Sequence, residues 1–255
     1  SVAAKARLLN HSRPADVHGV SISVVVPAKV RPKRVFDALE KALQGTSAIL
    51  AAPAPKVSVQ ASTLESVEYE ASGFVAEMAG KSAARNQLFD LAHRHLEAAG
   101  IIRQSEGNAV PTSRARALLD EVKVFRSLSE EERDVLAEAM TAEQYVAGQV
   151  VLDVNEVSES LFVIATGVVS AAVPDGDKQV EAGRMGPGEV MGEQSVLADT
   201  PSEACFTAMT SSIIYRIDKA TARACLEKCK QVNRAFNKLQ AVRQNNAHSV
   251  LLARP

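Results

Sequence analysis

Leu161-Phe162-Val163-Ile164-Ala165-Thr166-Gly167, followed further on by Gly188-Glu189-Val190-Met191-Gly192-Glu193-Gln194-Ser195-Val196-Leu197, decides the reading of this 255-residue chain. The first run has no polar alternation, so it predicts a strand covered on both faces. Gly167 closes it, and Gly148 closes an earlier segment, at turns where a side chain would clash. In the second run Gly192 lets the backbone approach a ligand. A short helix opening near Glu193 then directs free N–H groups at an anion. Working outward, short strands are expected over 150–154, 161–166, 168–173, 179–182 and 213–217. Before them, a helix over 114–122 leads to Ser129-Glu130-Glu131-Glu132, a capping box in which Ser129 and Glu132 satisfy each other's free N–H groups. That second helix buries Val135, Leu136, Ala139 and Met140. After the strands, residues 218–246 read as one or two helices with an apolar stripe at Cys225, Cys229, Val232, Phe236 and Leu239 that gives out at Arg243 and Asn246. The order predicts a closed jelly roll bracketed by helices.

These glycine positions, with Ala147-Gly148 and the 161–167 and 188–197 runs, resemble the cyclic-nucleotide-binding domain family over about residues 118–245. The resemblance implies cyclic AMP or cyclic GMP as the ligand and a site formed by Gly192, Glu193, Ser195, Ser202, Glu203 and Ala204. Glu193 would accept the ribose 2′-hydroxyl, the Ser195 turn would cradle the cyclic phosphate, and the last helix would be a lid. One departure falls at the most chemical point. The family cassette ends Pro-Arg-Ser/Thr-Ala, whereas this chain reads Pro201-Ser202-Glu203-Ala204. Losing the charge-assisted bond of the arginine costs roughly 1.5–3 kcal/mol. A carboxylate about 4 Å from a phosphate adds roughly 1–4 kcal/mol of repulsion, depending on the local dielectric. Together they are enough to turn micromolar binding into millimolar binding or none. Arg184 and Arg216 are the candidates to compensate.

The N-terminal half reads differently. A strand over 20–27 is stopped by Pro27, and Pro32 opens a helix whose face is Val35, Leu39, Ala42 and Leu43, closed by Gly45. Strands over 56–60 and 66–76 follow, then a helix over 82–99 with Leu88, Leu91, Ala92 and Leu96 on one face. The result is a β-α-β-β-α split sheet over 17–101, preceded by an orphan strand within 1–16 that belongs to an upstream β domain. Residues 102–117 are expected as linker and 118–255 as the second domain, giving an α+β chain overall. Lys5-Ala6-Arg7-Leu8-Leu9-Asn10-His11-Ser12-Arg13-Pro14, with the β-α-β-β-α unit ending Glu97-Ala98-Ala99-Gly100-Ile101, is similar to the cytoplasmic C-terminal region of small-conductance mechanosensitive channels. That family continues into a Pro-Phe-Pro-Gln strand, where this chain has Ile102-Arg103-Gln104-Ser105. The resemblance implies an assembly of identical subunits, a heptamer in the full-length channel. It also implies a membrane connection through an upstream segment and a place at the cytoplasmic face of the inner membrane.

Composition narrows the alternatives. With 29 basic and 30 acidic residues the net charge is −1, which argues against a nucleic-acid partner. An apolar fraction of 46% suits a packed core. The charge is divided, net +3 over 1–113 and net −4 over 114–255. The longest uncharged stretch, residues 160–174, is too short to span a bilayer, which takes about 20 apolar residues. The chain opens without Met or a signal core and is expected to be cut from something longer. Three cysteines suit a reducing compartment. Cys225 and Cys229 lie one helical turn apart without further ligands in reach of sequence, and read as buried thiols rather than a metal site. His93 and His95 point to different sides of a helix. Gly183, Gly186 and Gly188 fall among strands, not before the long helix a dinucleotide loop requires. No Ser/His/Asp or Cys/His arrangement emerges, so no catalytic residue and no enzyme is expected. The reading is a regulatory portion of a mechanosensitive or cyclic-nucleotide-regulated channel. The alternative is a soluble nucleotide-sensing or structural module acting on a partner protein. A transcription factor sharing the roll would need a helix-turn-helix beyond Gln244, where too few residues remain.

Overall fold

The computed structural model describes residues 17–102 and 113–252. The orphan strand expected within 1–16 and most of the expected linker lie outside those residues. The first unit is built from β1 (His18–Pro27), α1 (Pro32–Gly45), β2 (Lys56–Ser62), β3 (Ser66–Val75) and α2 (Lys81–Ala98). This is the β-α-β-β-α order that the sequence predicts. The sheet order is β1-β3-β2, all antiparallel, with His18 opposite Val75 and Pro27 opposite Ser66. Alternation on β3 buries Tyr69, Ala71 and Val75 beneath the two helices. α1 contributes Val35, Leu39 and Leu43 and α2 Leu88, Leu91 and Leu96, all buried. Each such side chain is worth about 1.5–3 kcal/mol of apolar transfer. Phe36 meets Tyr69 edge to face at 5.6 Å.

The second unit begins with α3 (Arg114–Glu121) and a single 3-10 turn, Lys123–Phe125, before α4 (Glu130–Glu138). α3 matches the helix expected over 114–122 and begins where Ser113 caps it, its Oγ accepting the Arg116 N–H at 3.1 Å. The capping box on α4 forms as expected. Its buried face forms in part. Leu136 and Met140 are buried as expected, whereas Val135 is 67% exposed, because the helix turns Leu136 and Ala137 to the core.

The roll is two antiparallel four-stranded sheets. One has the order β5 (Val150–Leu152), β10 (Cys205–Ala208), β7 (Val169–Asp175), β8 (Lys178–Met185). The other has β4 (Thr141–Tyr145), β11 (Ser212–Asp218), β6 (Ser160–Thr166), β9 (Val190–Met191). β6 is buried along almost its whole length, as its unbroken apolar run requires. β5 is shorter than expected, ending at Leu152, while β8 runs on to Met185. α5 (Glu193–Ala198) follows β9, and after β11 come α6 (Lys219–Lys228) and α7 (Lys230–Leu252). Asp218 caps α6 by accepting the Thr221 N–H at 2.9 Å. α7 is fixed at its N-terminal half by Val232 and Phe236, both fully buried, with Phe236 against Phe125 at 5.6 Å. No described helix is long and apolar enough to cross a membrane.

The two units meet along the turn between β8 and β9. Arg94 of α2 donates to the Pro187 carbonyl at 3.1 Å and pairs with Glu189 at 3.3 Å. Arg184 of β8 donates to the Gln44 carbonyl, at the end of α1, at 2.8 Å. Gly186 is packed so closely that a Cβ there would lie 3.0 Å from Leu91. His95 is buried at this seam, and burial first, then the Lys41 and Arg94 charges, hold its pKa down to about 3.

Across the same seam, Glu121 of α3 is pushed up to about 7 by burial, then by the charges of Glu97 and Asp120. The folded state therefore keeps a proton that an ordinary glutamate releases near 4.5. This contribution is fully present below about 4.5 and is lost as the pH rises through about 7. Glu121→Gln carries no charge to bury. Urea unfolding is expected to find it as stable as the wild type at pH 4 and more stable at pH 7.5; an equal difference at both values would remove Glu121 as the cause.

Candidate nucleotide pocket

Gly192 sits between β9 and α5 with φ +83°, a conformation that favours glycine. A Cβ there would lie 2.6 Å from the Ser160 carbonyl oxygen. The neighbouring strand therefore requires the glycine. Gly167, φ +98°, is similarly needed because a Cβ would meet Ser212. α5 is tied to α6 by Arg223, which donates to the Val196 carbonyl at 2.8 Å and pairs with Asp199 at 2.6 Å.

A cavity of about 190 Å³ opens between α5, the β7–β8–β10 face and α7. Of the six residues expected at a ligand site, Glu193, Ser202, Glu203 and Ala204 line it together. Gly192 and Ser195 do not. Ser195 is buried, its Oγ accepting the Ser158 N–H at 2.9 Å and donating to the Thr200 carbonyl at 3.1 Å. Both capacities of the hydroxyl are thus spent on fastening the loop before β6 to the end of α5. The Ser195 hydroxyl therefore does not face the cavity. The cassette is strapped down at Ser202, whose N–H donates to the Glu156 carbonyl at 2.9 Å and whose Oγ donates to the Ala204 carbonyl at 2.7 Å. The Glu203 N–H donates to Gln194 Oε1 at 3.1 Å, and Gln244 of α7 donates to Glu203 Oε1 at 3.2 Å.

Both arginines expected as candidates to compensate for Ser202 have other partners. Arg216 points away, to Glu143 at 2.8 Å and Ser160 Oγ at 3.0 Å, with its guanidinium 5.8 Å above the Phe162 ring. Arg184 lines the cavity but is committed to Glu181 at 2.8 Å and to the Gln44 carbonyl. A cation not foreseen from the sequence, Arg243, also lines the cavity. Its Nη1 stands 2.7 Å from Glu193 Oε1, and its side chain is three-quarters buried in the cavity wall. The signal was present: Arg243 lies seven residues after Phe236 and so falls on the same face of α7. The apolar stripe stops there because that position faces the pocket rather than the core.

Cys225 is pushed up to about 11, by burial first and then by Cys229, which makes it a poor nucleophile. Among the described residues no three His, Cys, Asp or Glu side chains come together in a way that would hold a metal ion.

The sequence profile of the cyclic nucleotide-binding domain family matches residues 142–229. Those residues are a cyclic nucleotide-binding domain. The match takes in the roll, α5, the cassette and α6, and ends where α7 begins. The chain is 32% identical over 102 residues to a cAMP-dependent protein kinase regulatory subunit of Debaryomyces hansenii, covering 40% of this chain and 22% of that one. It is 28% identical over 87 residues to the type II regulatory subunit of Drosophila melanogaster, covering 34% and 23%. The chain thus spans about a quarter of the length of these curated relatives or less. Among solved structures, the regulatory domain of Toxoplasma gondii protein kinase A with cAMP is similar at 13% identity and TM-score 0.47, over 69% of this chain and 61% of that one. The Thermus thermophilus catabolite activator protein is similar at 22% identity and TM-score 0.44, over 49% and 59%.

Proposed function

We propose that this chain is a regulatory portion of a larger protein, in which the cyclic nucleotide-binding domain biases the α/β unit by linkage. One observation carries the reading. β8 forms a wall of the pocket through Ala182, Gly183, Arg184 and Met185, and the same strand hands Arg184 to α1 and the 186–189 turn to α2. A ligand that prefers one arrangement of that wall shifts the α/β unit by its differential affinity, and by no more than that. The larger protein we infer is a mechanosensitive-type channel of identical subunits at the cytoplasmic face of a membrane. The β-α-β-β-α order and the likeness of residues 5–14 and 97–101 to that family support it. The reading as a module acting on a partner protein is favoured instead by the identity with kinase regulatory subunits.

Amide hydrogen exchange tests the coupling. Arg184→Ala is expected to speed exchange at the C-terminal end of α1 without any ligand, and cAMP is expected to change exchange in α1 and α2 of the wild type. Indifference of both helices to both changes would overturn the proposal. In the full-length protein, a tension-activated current whose midpoint shifts with cyclic nucleotide supports the channel; its absence moves the function to a partner protein.

A further inference from the structure

The cassette of this pocket has no arginine, yet the pocket holds a guanidinium. We propose that Arg243, delivered by α7 from outside the matched domain, is the anion-receiving residue of the site, and that the ligand it selects is a ribose phosphate clasped between α7 and α5. The inference rests on the proposed nucleotide-regulated function and says how the site takes its ligand.

Three observations converge on Arg243. First, it is the cation that stands on the pocket's own carboxylate. Arg184 is turned to Glu181 and to the Gln44 carbonyl of the other unit, whereas Arg243 uses Nη1 on Glu193 and its Nη2 meets only the Met185 sulfur, at 3.9 Å, among the described residues. A guanidinium has five N–H donors in a planar fork that suits phosphate oxygens. Engaged with one carboxylate oxygen, it keeps several for an anion. Second, its neighbours define the rest of the ligand. Glu193 is an acceptor-only carboxylate in the same wall, placed for a hydroxyl donor beside the anion. An adjacent hydroxyl and phosphate are what a ribose phosphate presents. Glu203, whose charge opposes an anion, is already occupied by Gln244. Third, the helix that carries Arg243 is anchored elsewhere. Phe236 is fully buried seven residues before it, about 10 Å along the axis. Beyond Phe236, α7 leaves Val242 and Leu252 exposed and reaches the roll through Gln240, Arg243, Gln244 and Ala247 at the cavity. The cavity, about 190 Å³, is smaller than the roughly 300 Å³ from which ligand pockets start, so α7 must ease outward to admit a nucleotide and then close on it. Binding and the position of α7 are thereby one equilibrium.

The test is calorimetry with cAMP and with adenosine, which lacks the phosphate, on the wild type, Arg243→Ala and Arg243→Lys. The expected result is a fall of at least tenfold in the ratio of cAMP to adenosine affinity for Arg243→Ala, with most of it restored by Arg243→Lys. A purely structural role would move both ligands together and leave the ratio unchanged, which would overturn the proposal. So would tighter cAMP binding by Arg243→Ala, the result expected if α7 were only a plug. A wild-type chain that binds no cAMP at millimolar concentration would overturn it as well; the ligand-free exchange of α1 in Arg184→Ala would still judge the coupling between the units separately.

Discussion

Ser202→Arg combined with Glu203→Ser is expected to raise cAMP affinity by about a hundredfold. Both positions line the pocket. An arginine there adds a charge-assisted bond of roughly 1.5–3 kcal/mol. Removing the Glu203 carboxylate relieves repulsion of order 1 kcal/mol or more at about 4 Å. Two effects work the other way. The Gln244 bond to Glu203 is lost, and the new guanidinium stands in the same cavity as Arg243. A gain of at least tenfold, about 1.4 kcal/mol, is therefore expected to survive them. Calorimetry reads it directly. An affinity that does not change would mean that residues 202 and 203 do not face the ligand, and would undo the assignment of the cassette.

Phe236→Ala is expected to cost about 3–5 kcal/mol, the range for emptying a buried phenylalanine site. Phe236 is fully buried and packs against Phe125 with the rings tilted, in a core shared with Leu119, Leu161 and Ile217. That loss is a large part of the roughly 5–15 kcal/mol that holds a domain together. It is also the anchor of α7, so exchange protection is expected to vanish along α7 before the roll itself opens. Phe236→Leu fills most of the space and is expected to cost about 1–1.5 kcal/mol, retaining the helix. Denaturant unfolding of the pair checks this; a cost below about 1 kcal/mol for the alanine variant would show that α7 is held by something else.

How far the sequence carried depends on the residue. β6 was legible because six consecutive buried positions leave a continuous apolar run. α1 was legible because proline, a one-sided apolar face and glycine mark its start, middle and end. β4 was not, since Thr141-Ala142-Glu143-Gln144-Tyr145 is an edge strand paired only with β11, with one buried position in five. β9 spans two residues and has no period to read. In the pocket, Glu193 lines the cavity, but a serine in a motif says nothing of where its hydroxyl is spent, and that of Ser195 is bonded to Ser158 and Thr200. The helix face of Arg243 was legible, but its surroundings were not. It ends an apolar stripe, and only the fold reveals that the next surface the stripe meets is a cavity. The seam between the units was out of reach because its contacts join residues such as Arg94 and Pro187, 93 positions apart.

β8 also places a constraint on change. Within four consecutive residues, 182–185, it faces a cavity, and with one of them, Arg184, it grips the helix of a separate unit. Few substitutions there can alter one task and spare the other. Variants selected for a new ligand will accumulate on β8 already carrying an altered grip on α1, and variants selected for a looser grip will arrive with altered ligand preference. The two properties are inherited together, so this strand should drift more slowly than its exposure alone would suggest.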